Sequence, residues 1–238
     1  MDFNNVRLSE LHCHIGSQIF DTEPFILSLN IMMDFIKKIK EELDLTISEL
    51  NLGGGFGIKY MASDNVCNLN NFLNRIFLEV KQKSINNNMQ LPYIFLEPGR
   101  SIVGEAGITL YTIGGIKEIK NVRTYVSIDG GMCDNPRYAL YKSPYTIMVA
   151  NKASMPLNKK VTIAGKCCES GDLIQENILI QDPKIGDILA VLSTGAYNYS
   201  MSSNYNRITK PSIVMIKDGI PRIMVKRQTL DDIISNDV

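Results

Sequence analysis

Two hydrophobic periods alternate along the first hundred residues, and that alternation limits the possible folds more than any other feature of the chain. Leu8 to Ile15 reads as a strand. Asp21 or Thr22 can cap a helix begun by Pro24, in which Phe25, Ile26, Leu29, Met32, Met33, Ile36, Ile39 and Leu43 recur at three- and four-residue spacing. Ile47 to Leu52 is a second strand, running straight into Gly53-Gly54-Gly55. Leu69, Phe72, Leu73, Ile76, Phe77 and Val80 predict a second amphipathic helix, and Tyr93 to Leu96 a third strand ending in Glu97-Pro98-Gly99-Arg100. Such alternation predicts strand–helix units on a parallel sheet. In a β/α barrel the C-terminal strand ends build the site, so the three motifs that follow these strands are expected to gather at one face.

Beyond about Gly104 the texture changes. Ile108 to Ile113, Arg123 to Ile128, Val161 to Ala164, Ile188 to Leu192 and Ser212 to Ile216 are short β-rich runs parted by Gly, Pro, Asn and Asp, which predicts antiparallel β structure. Lys217-Asp218-Gly219-Ile220 is a hairpin turn, and Thr229 to Ile234 a short closing helix. The expected organisation is an α/β portion over residues 1–104 and a β domain over residues 105–238.

Composition narrows the function. With 45% hydrophobic and 21% charged residues the chain can bury a substantial core. Twenty-five basic residues against 25 acidic ones recommend neither nucleic acid nor an anionic membrane surface as partner. No apolar run approaches the roughly 20 residues of a membrane span, and the N-terminus lacks the marks of a secretory signal. Five cysteines without a C-x-x-C pair fit a reducing compartment, so a cytoplasmic location is expected.

The strand-end motifs carry the chemistry. Gly53-Gly54-Gly55-Phe56-Gly57 offers backbone N–H groups unobstructed by Cβ atoms, which suits a phosphate and equally suits a tight turn. His12 and His14, the two histidines of the chain, share one strand face by alternation, but a metal site is not expected from them. Glu97 leaves a carboxylate at a strand end with Arg100 three residues on. Either a functional pair or a structural salt bridge would have that spacing.

Five ordered motifs carry a resemblance: His12-Cys13-His14-Ile15-Gly16-Ser17-Gln18, Asn51-Leu52-Gly53-Gly54-Gly55-Phe56-Gly57, Glu97-Pro98-Gly99-Arg100-Ser101, Cys168-Glu169-Ser170-Gly171-Asp172, and Gly195-Ala196-Tyr197 through Tyr205-Asn206. From Leu11 to about Asp232 the chain resembles the pyridoxal-phosphate-dependent decarboxylases with an alanine-racemase-like barrel, most closely those acting on meso-diaminopimelate to make L-lysine. The resemblance implies pyridoxal 5′-phosphate as cofactor. It sets His14 against the pyridine ring, with Ser17, Gly53, Gly54, Gly55 and the Pro98-Gly99-Arg100 segment around the phosphate. Glu97 would face the ring nitrogen and keep it protonated, so that negative charge released by CO2 loss enters a cationic ring. Arg100, Arg137 and Tyr141 match groups that take the substrate's far carboxylate. Glu169 would hold the distal ammonium, Cys168 would return a proton to the α-carbon, and Tyr197 would touch both cofactor and substrate. Cys167 is expected to be a small buried hydrophobe.

The resemblance further implies a homodimer with shared active sites, the Cys168 loop reaching into the partner's site. The family's anchoring lysine belongs to earlier strands than these, and Lys152 does not match it. Three strand–helix units cannot close an eight-stranded barrel. The chain is therefore expected to be a C-terminal portion, part of a barrel plus a β domain, inactive alone and in need of a complementary N-terminal half. The competing expectations are a related decarboxylase of ornithine, arginine or carboxynorspermidine, or a non-catalytic partner.

Overall fold

A computed structural model describes residues 5–66 and 68–238, and the chain divides into two compact units. The first comprises residues 1–59 and 63–104, and the second residues 60–62 and 105–238.

In the first unit the order is β1 (Glu10–His12), α1 (Glu23–Leu43), β2 (Glu49–Asn51), α2 (Leu69–Asn86), β3 (Tyr93–Phe95) and the short α3 (Gly99–Val103). The three strands pair in parallel in the order β1-β2-β3, with Glu10 opposite Glu49 and Glu49 opposite Tyr93. They are shorter than the apolar runs suggested. The reason is local: beyond His12, Asn51 and Phe95 the backbone leaves the ladder for the polar motifs. Helix α1 starts where Pro24 predicts, with Thr22 at the N-cap position, but the capping acceptor is Asp21 Oδ1, which takes the Glu23 N–H at 3.1 Å. Its stripe of Phe25, Ile26, Leu29, Met33, Ile36 and Ile39 is buried, while Leu43 is exposed. Helix α2 is capped by Asn68, whose side chain accepts from Asn71 N; it buries Phe72, Ile76 and Val80 and leaves Phe77 exposed. Phe25, Phe56 and Phe72 meet at ring-centroid distances of 4.9–5.1 Å, one pair stacked and two edge-to-face. Each such pair adds about 0.5–1.5 kcal/mol beyond the area it buries.

In the second unit β4 (Ile108–Ile119), β5 (Arg123–Ile128), α4 (Arg137–Tyr141), β6 (Ile147–Val149), β7 (Lys159–Ala164), β8 (Leu173–Ile180) and β9 (Ile188–Leu192) are followed by β10 (Ile213–Lys217), β11 (Ile220–Val225) and α5 (Leu230–Ile234). Six of the strands form a sheet in the order β6-β9-β4-β5-β7-β8. One pair departs from the antiparallel expectation: β5 and β7 run parallel, the chain between them passing through α4 and β6. The sheet's outer strands are joined by side chains instead of a ladder. Gln175 Oε1 on β8 accepts from Tyr145 N at 2.6 Å, and Gln181 Oε1, just past β8, accepts from Val149 N at 2.8 Å. Both glutamines are buried. The β10–β11 hairpin turns at Asp218 and Gly219, with φ of 52° and 76°, the two left-handed positions that a twisted hairpin needs. Thr229 and Asp232 cap α5 reciprocally.

Candidate active site

The parallel register of the first unit decides which strand-end residues meet. His12 lies opposite Asn51, and Asn51 opposite Phe95, so the residue two beyond Phe95 on the same side, Glu97, comes to the same corner. Asn51 Nδ2 donates to Glu97 Oε1 at 3.1 Å, and His12 Nε2 lies 3.5 Å from that same oxygen. Asn51 Oδ1 accepts from Gly53 N at 2.9 Å. One carboxamide thus ties the glycine loop to the carboxylate. His14, two residues beyond His12, accepts the Gly54 N–H at Nδ1, 3.2 Å away, which assigns any proton of a neutral ring to Nε2. Both imidazoles are exposed at the strand tips. Arg100 Nη2 donates to Ser17 Oγ at 3.1 Å, joining a cation and a hydroxyl from the third and first motifs.

The glycines are demanded by packing. A Cβ on Gly53 would press on the His14 backbone and imidazole, one on Gly54 on the Glu97 carbonyl oxygen, and one on Gly55 on the Gly16 carbonyl oxygen. Gly53 and Gly55 also hold φ of 68° and 99°. The loop therefore lets neighbouring strand ends approach closely. At Gly99, by contrast, a Cβ would meet nothing within 4 Å, so the space beside Pro98 and Arg100 is open. Open space beside a guanidinium and a hydroxyl accommodates a phosphate, and a carboxylate held on one oxygen can accept from a protonated ring nitrogen on the other. These residues fit pyridoxal phosphate.

The second unit gathers the other candidates. Asp172 is 3% exposed and its two oxygens accept from Met132 N at 2.6 Å and Cys167 N at 2.7 Å. The adjacent amide, that of Cys168, donates to Asn206 Oδ1 at 2.7 Å. Cys168 and Glu169 are exposed, and Tyr205 Oη lies 3.5 Å from Glu169 Oε2. Burial pushes the Tyr205 hydroxyl's pKa upward, and the Glu169 charge adds to it. Cys167 is buried beside Cys133. Burial, reinforced by Asp134, pushes the Cys133 thiol up to about 12, and burial raises Cys167 as well. Of these three thiols only that of Cys168 faces solvent.

Arg137 opens α4 and lays its guanidinium over the Tyr60 ring at 3.8 Å, with Tyr145 further off at 5.9 Å. A guanidinium donates within its own plane, so stacking leaves its edge chemistry intact. Tyr141 and Tyr197 are exposed, Tyr197 with φ of 70°. Lys152 is held as a structural cation: its Nζ lies 2.6 Å from Asp187 Oδ2 and 2.9 Å from Asp182 O. The Lys152 hydrogen bond, helped by Asn151, brings Asp187 down to about 2.

The groups missed from sequence are the holders: Asn51, His12 as a neighbour of Glu97, Asp172 and Asn206. Asn51, Asp172 and Asn206 stand inside or beside the quoted motifs, which was the available signal.

Residues 2–104 match the family described as pyridoxal-dependent decarboxylase, pyridoxal binding domain. Over 98% of its length the chain is 44% identical to a diaminopimelate decarboxylase of Bacillus subtilis and covers 53% of that protein. A diaminopimelate decarboxylase of Staphylococcus aureus is 47% identical over 98% of this chain and 54% of its own length. A crystal structure of diaminopimelate decarboxylase from M. jannaschii in complex with L-lysine superposes with a TM-score of 0.87 at 35% identity, covering 95% of this chain and 51% of that one. The chain spans about half the length of the curated relatives it matches. In its strand-end chemistry and in these similarities, residues 2–104 resemble the pyridoxal binding domain of pyridoxal-dependent decarboxylases, and the chain as a whole is similar to about half of a diaminopimelate decarboxylase.

Proposed function

We propose that this chain forms part of a pyridoxal-phosphate-dependent decarboxylase that converts meso-2,6-diaminopimelate to L-lysine and CO2. The observation that carries the reading is the Glu97 carboxylate, held on Oε1 by Asn51 with His12 alongside, at the head of three parallel strands and beside a glycine loop held by His14. Pyridoxal phosphate, when bound, supplies an electron sink for the pair released as the Cα–CO2 bond breaks. Glu97 would hold a proton on the ring nitrogen through Oε2 and thereby keep that sink cationic. Ser17, Arg100 and the Gly99 backbone would bind the phosphate, and the His14 ring would lie against the pyridine.

Cys168 would deliver the proton that replaces CO2 on Cα. Arg137 with Tyr141 would take the distal carboxylate, Glu169 the distal ammonium, and Tyr197 would contact both ligands. Arg100 would serve either the phosphate or a substrate carboxylate. A homodimer with shared sites and a complementary N-terminal half supplying the anchoring lysine complete the proposal. Relatives whose names carry diaminopimelate, and one solved with L-lysine, support this substrate over ornithine or arginine.

The test is CO2 release from meso-diaminopimelate, ornithine and arginine by the chain alone and with a co-expressed N-terminal half of a relative. Turnover of diaminopimelate in the combined form only is expected, and Cys168→Ala should lose about 100-fold or more in kcat while retaining cofactor. A preference for ornithine or arginine, or near-normal turnover by Cys168→Ala, overturns the assignment.

A further inference from the structure

Two successive amides in the Cys168 loop are held by side chains from different parts of the second unit. Cys167 N donates to the buried Asp172 at 2.7 Å, and Cys168 N donates to Asn206, 38 residues away, also at 2.7 Å. Glu169 N then donates back to the Cys167 carbonyl at 2.8 Å, closing a tight turn around Cys168. With the peptide groups on both sides tethered, the backbone at Cys168 is restricted, which sets the direction of the Cα–Cβ bond that carries the exposed thiol. Asn206 itself sits at φ 53° and ψ 25°, a left-handed conformation that Asn and Gly tolerate and that aims its short side chain back at the loop. A hydrogen bond across 38 residues from a residue in that conformation is a built contact, and neither partner needs it for a strand or helix.

We propose that Asn206 is the positioning residue for Cys168, holding the thiol on its line of proton delivery through the Cys168 amide. The inference deepens the reading of Cys168 as proton donor and rests on it for its catalytic consequence. This role needs no contact between Asn206 and substrate. Its effect passes through the loop backbone, so it should change how fast the proton arrives and not how tightly substrate binds.

Two substitutions separate the hydrogen bond from the backbone conformation. Asn206→Gly keeps the left-handed φ and deletes the acceptor; Asn206→Asp keeps the acceptor and adds a charge. In the assembly that releases CO2, Asn206→Gly should lower kcat about 10- to 100-fold, the range for a misplaced proton donor, with KM within about twofold. Asn206→Asp should recover most of that loss. On the chain alone, iodoacetamide modification of Cys168, followed by peptide mass against pH, should change in Asn206→Gly. It should shift to higher pH in Asn206→Asp, because a neighbouring negative charge disfavours the thiolate. Amide hydrogen exchange at Cys168 should be slow in the wild type and at least about tenfold faster in Asn206→Gly. Wild-type behaviour of Asn206→Gly in both alkylation and exchange, or equal defects in the two variants, overturns the proposal. So does a wild-type Cys168 amide that exchanges as fast as an unstructured peptide, a measurement that stands even if Asn206→Gly does not fold. Loss of CO2 release by the wild-type assembly would sink the proton-donor reading, while alkylation and exchange still decide whether Asn206 sets the thiol.

Discussion

Gly54→Ala is the sharpest probe of how the strand tips are packed. Gly54 carries no positive φ, so alanine there is free of backbone strain and its cost is steric. The new methyl would lie well inside contact of the Glu97 carbonyl oxygen and 3.2 Å from the carbonyl carbon. Restoring ordinary contact requires the Glu97 peptide to retreat by roughly 1 Å. That retreat strains the bonds that join β2 to β3 at this point, Glu97 N to Gly53 O at 2.9 Å and Leu52 N to Phe95 O at 3.0 Å. Overpacking costs about 1–3 kcal/mol and each lost backbone bond about 1 kcal/mol, so a destabilisation of about 2–5 kcal/mol is expected. Gly99→Ala is the control, because its methyl meets nothing within 4 Å. Urea unfolding followed by circular dichroism measures both. With slopes of about 1–3 kcal/mol per molar, Gly54→Ala should lower the midpoint of the first unit's transition by about 0.7 M or more. A midpoint within about 0.3 M of Gly99→Ala would refute the claim that the triplet is glycine for packing.

Asp187 has its pKa lowered to about 2 by Lys152, so its contribution is present above about pH 4, the range of a free carboxyl, and is lost as pH falls through 2. Asp187→Asn should flatten the acid limb of melting temperature between those pH values by on the order of 2 kcal/mol; parallel limbs would discredit the pair. Asp172→Asn leaves one of two short amide contacts facing an NH2 group, and should cost about 1.5–3 kcal/mol in thermal melts, while an unchanged Tm would remove Asp172 as the loop's anchor.

Local chemistry was legible and distant pairing was not. The Pro24 helix start and the Asp218-Gly219 turn depend on single-residue φ preferences, which sequence displays directly. Strand β8 was missed because Gln175, Glu176 and Asn177 interrupt its apolar run. In the structure Gln175 meets Tyr145 and Glu176 meets Arg123 and Tyr138, bonds that turn polar residues into strand residues. The parallel β5–β7 pair was missed because strand direction leaves no local mark. At the site, motif residues were identifiable, but what holds them was not. Asn51 and Glu97 lie 46 residues apart, and the Tyr60 ring beneath Arg137 comes from a segment that carries no motif.

The glutamine junction between β6 and β8 differs mechanically from every other boundary in its sheet. A backbone ladder locks residues into register, so sliding one strand by a residue breaks every rung and turns each side chain to the wrong face. A carboxamide on a flexible stem imposes no register; it can follow its target amide through a small displacement and keep its bond. That junction is therefore a compliant seam in an otherwise indexed sheet. Partial opening of the sheet would begin there, at the cost of two side-chain bonds, with the β6–β9 ladder left in place.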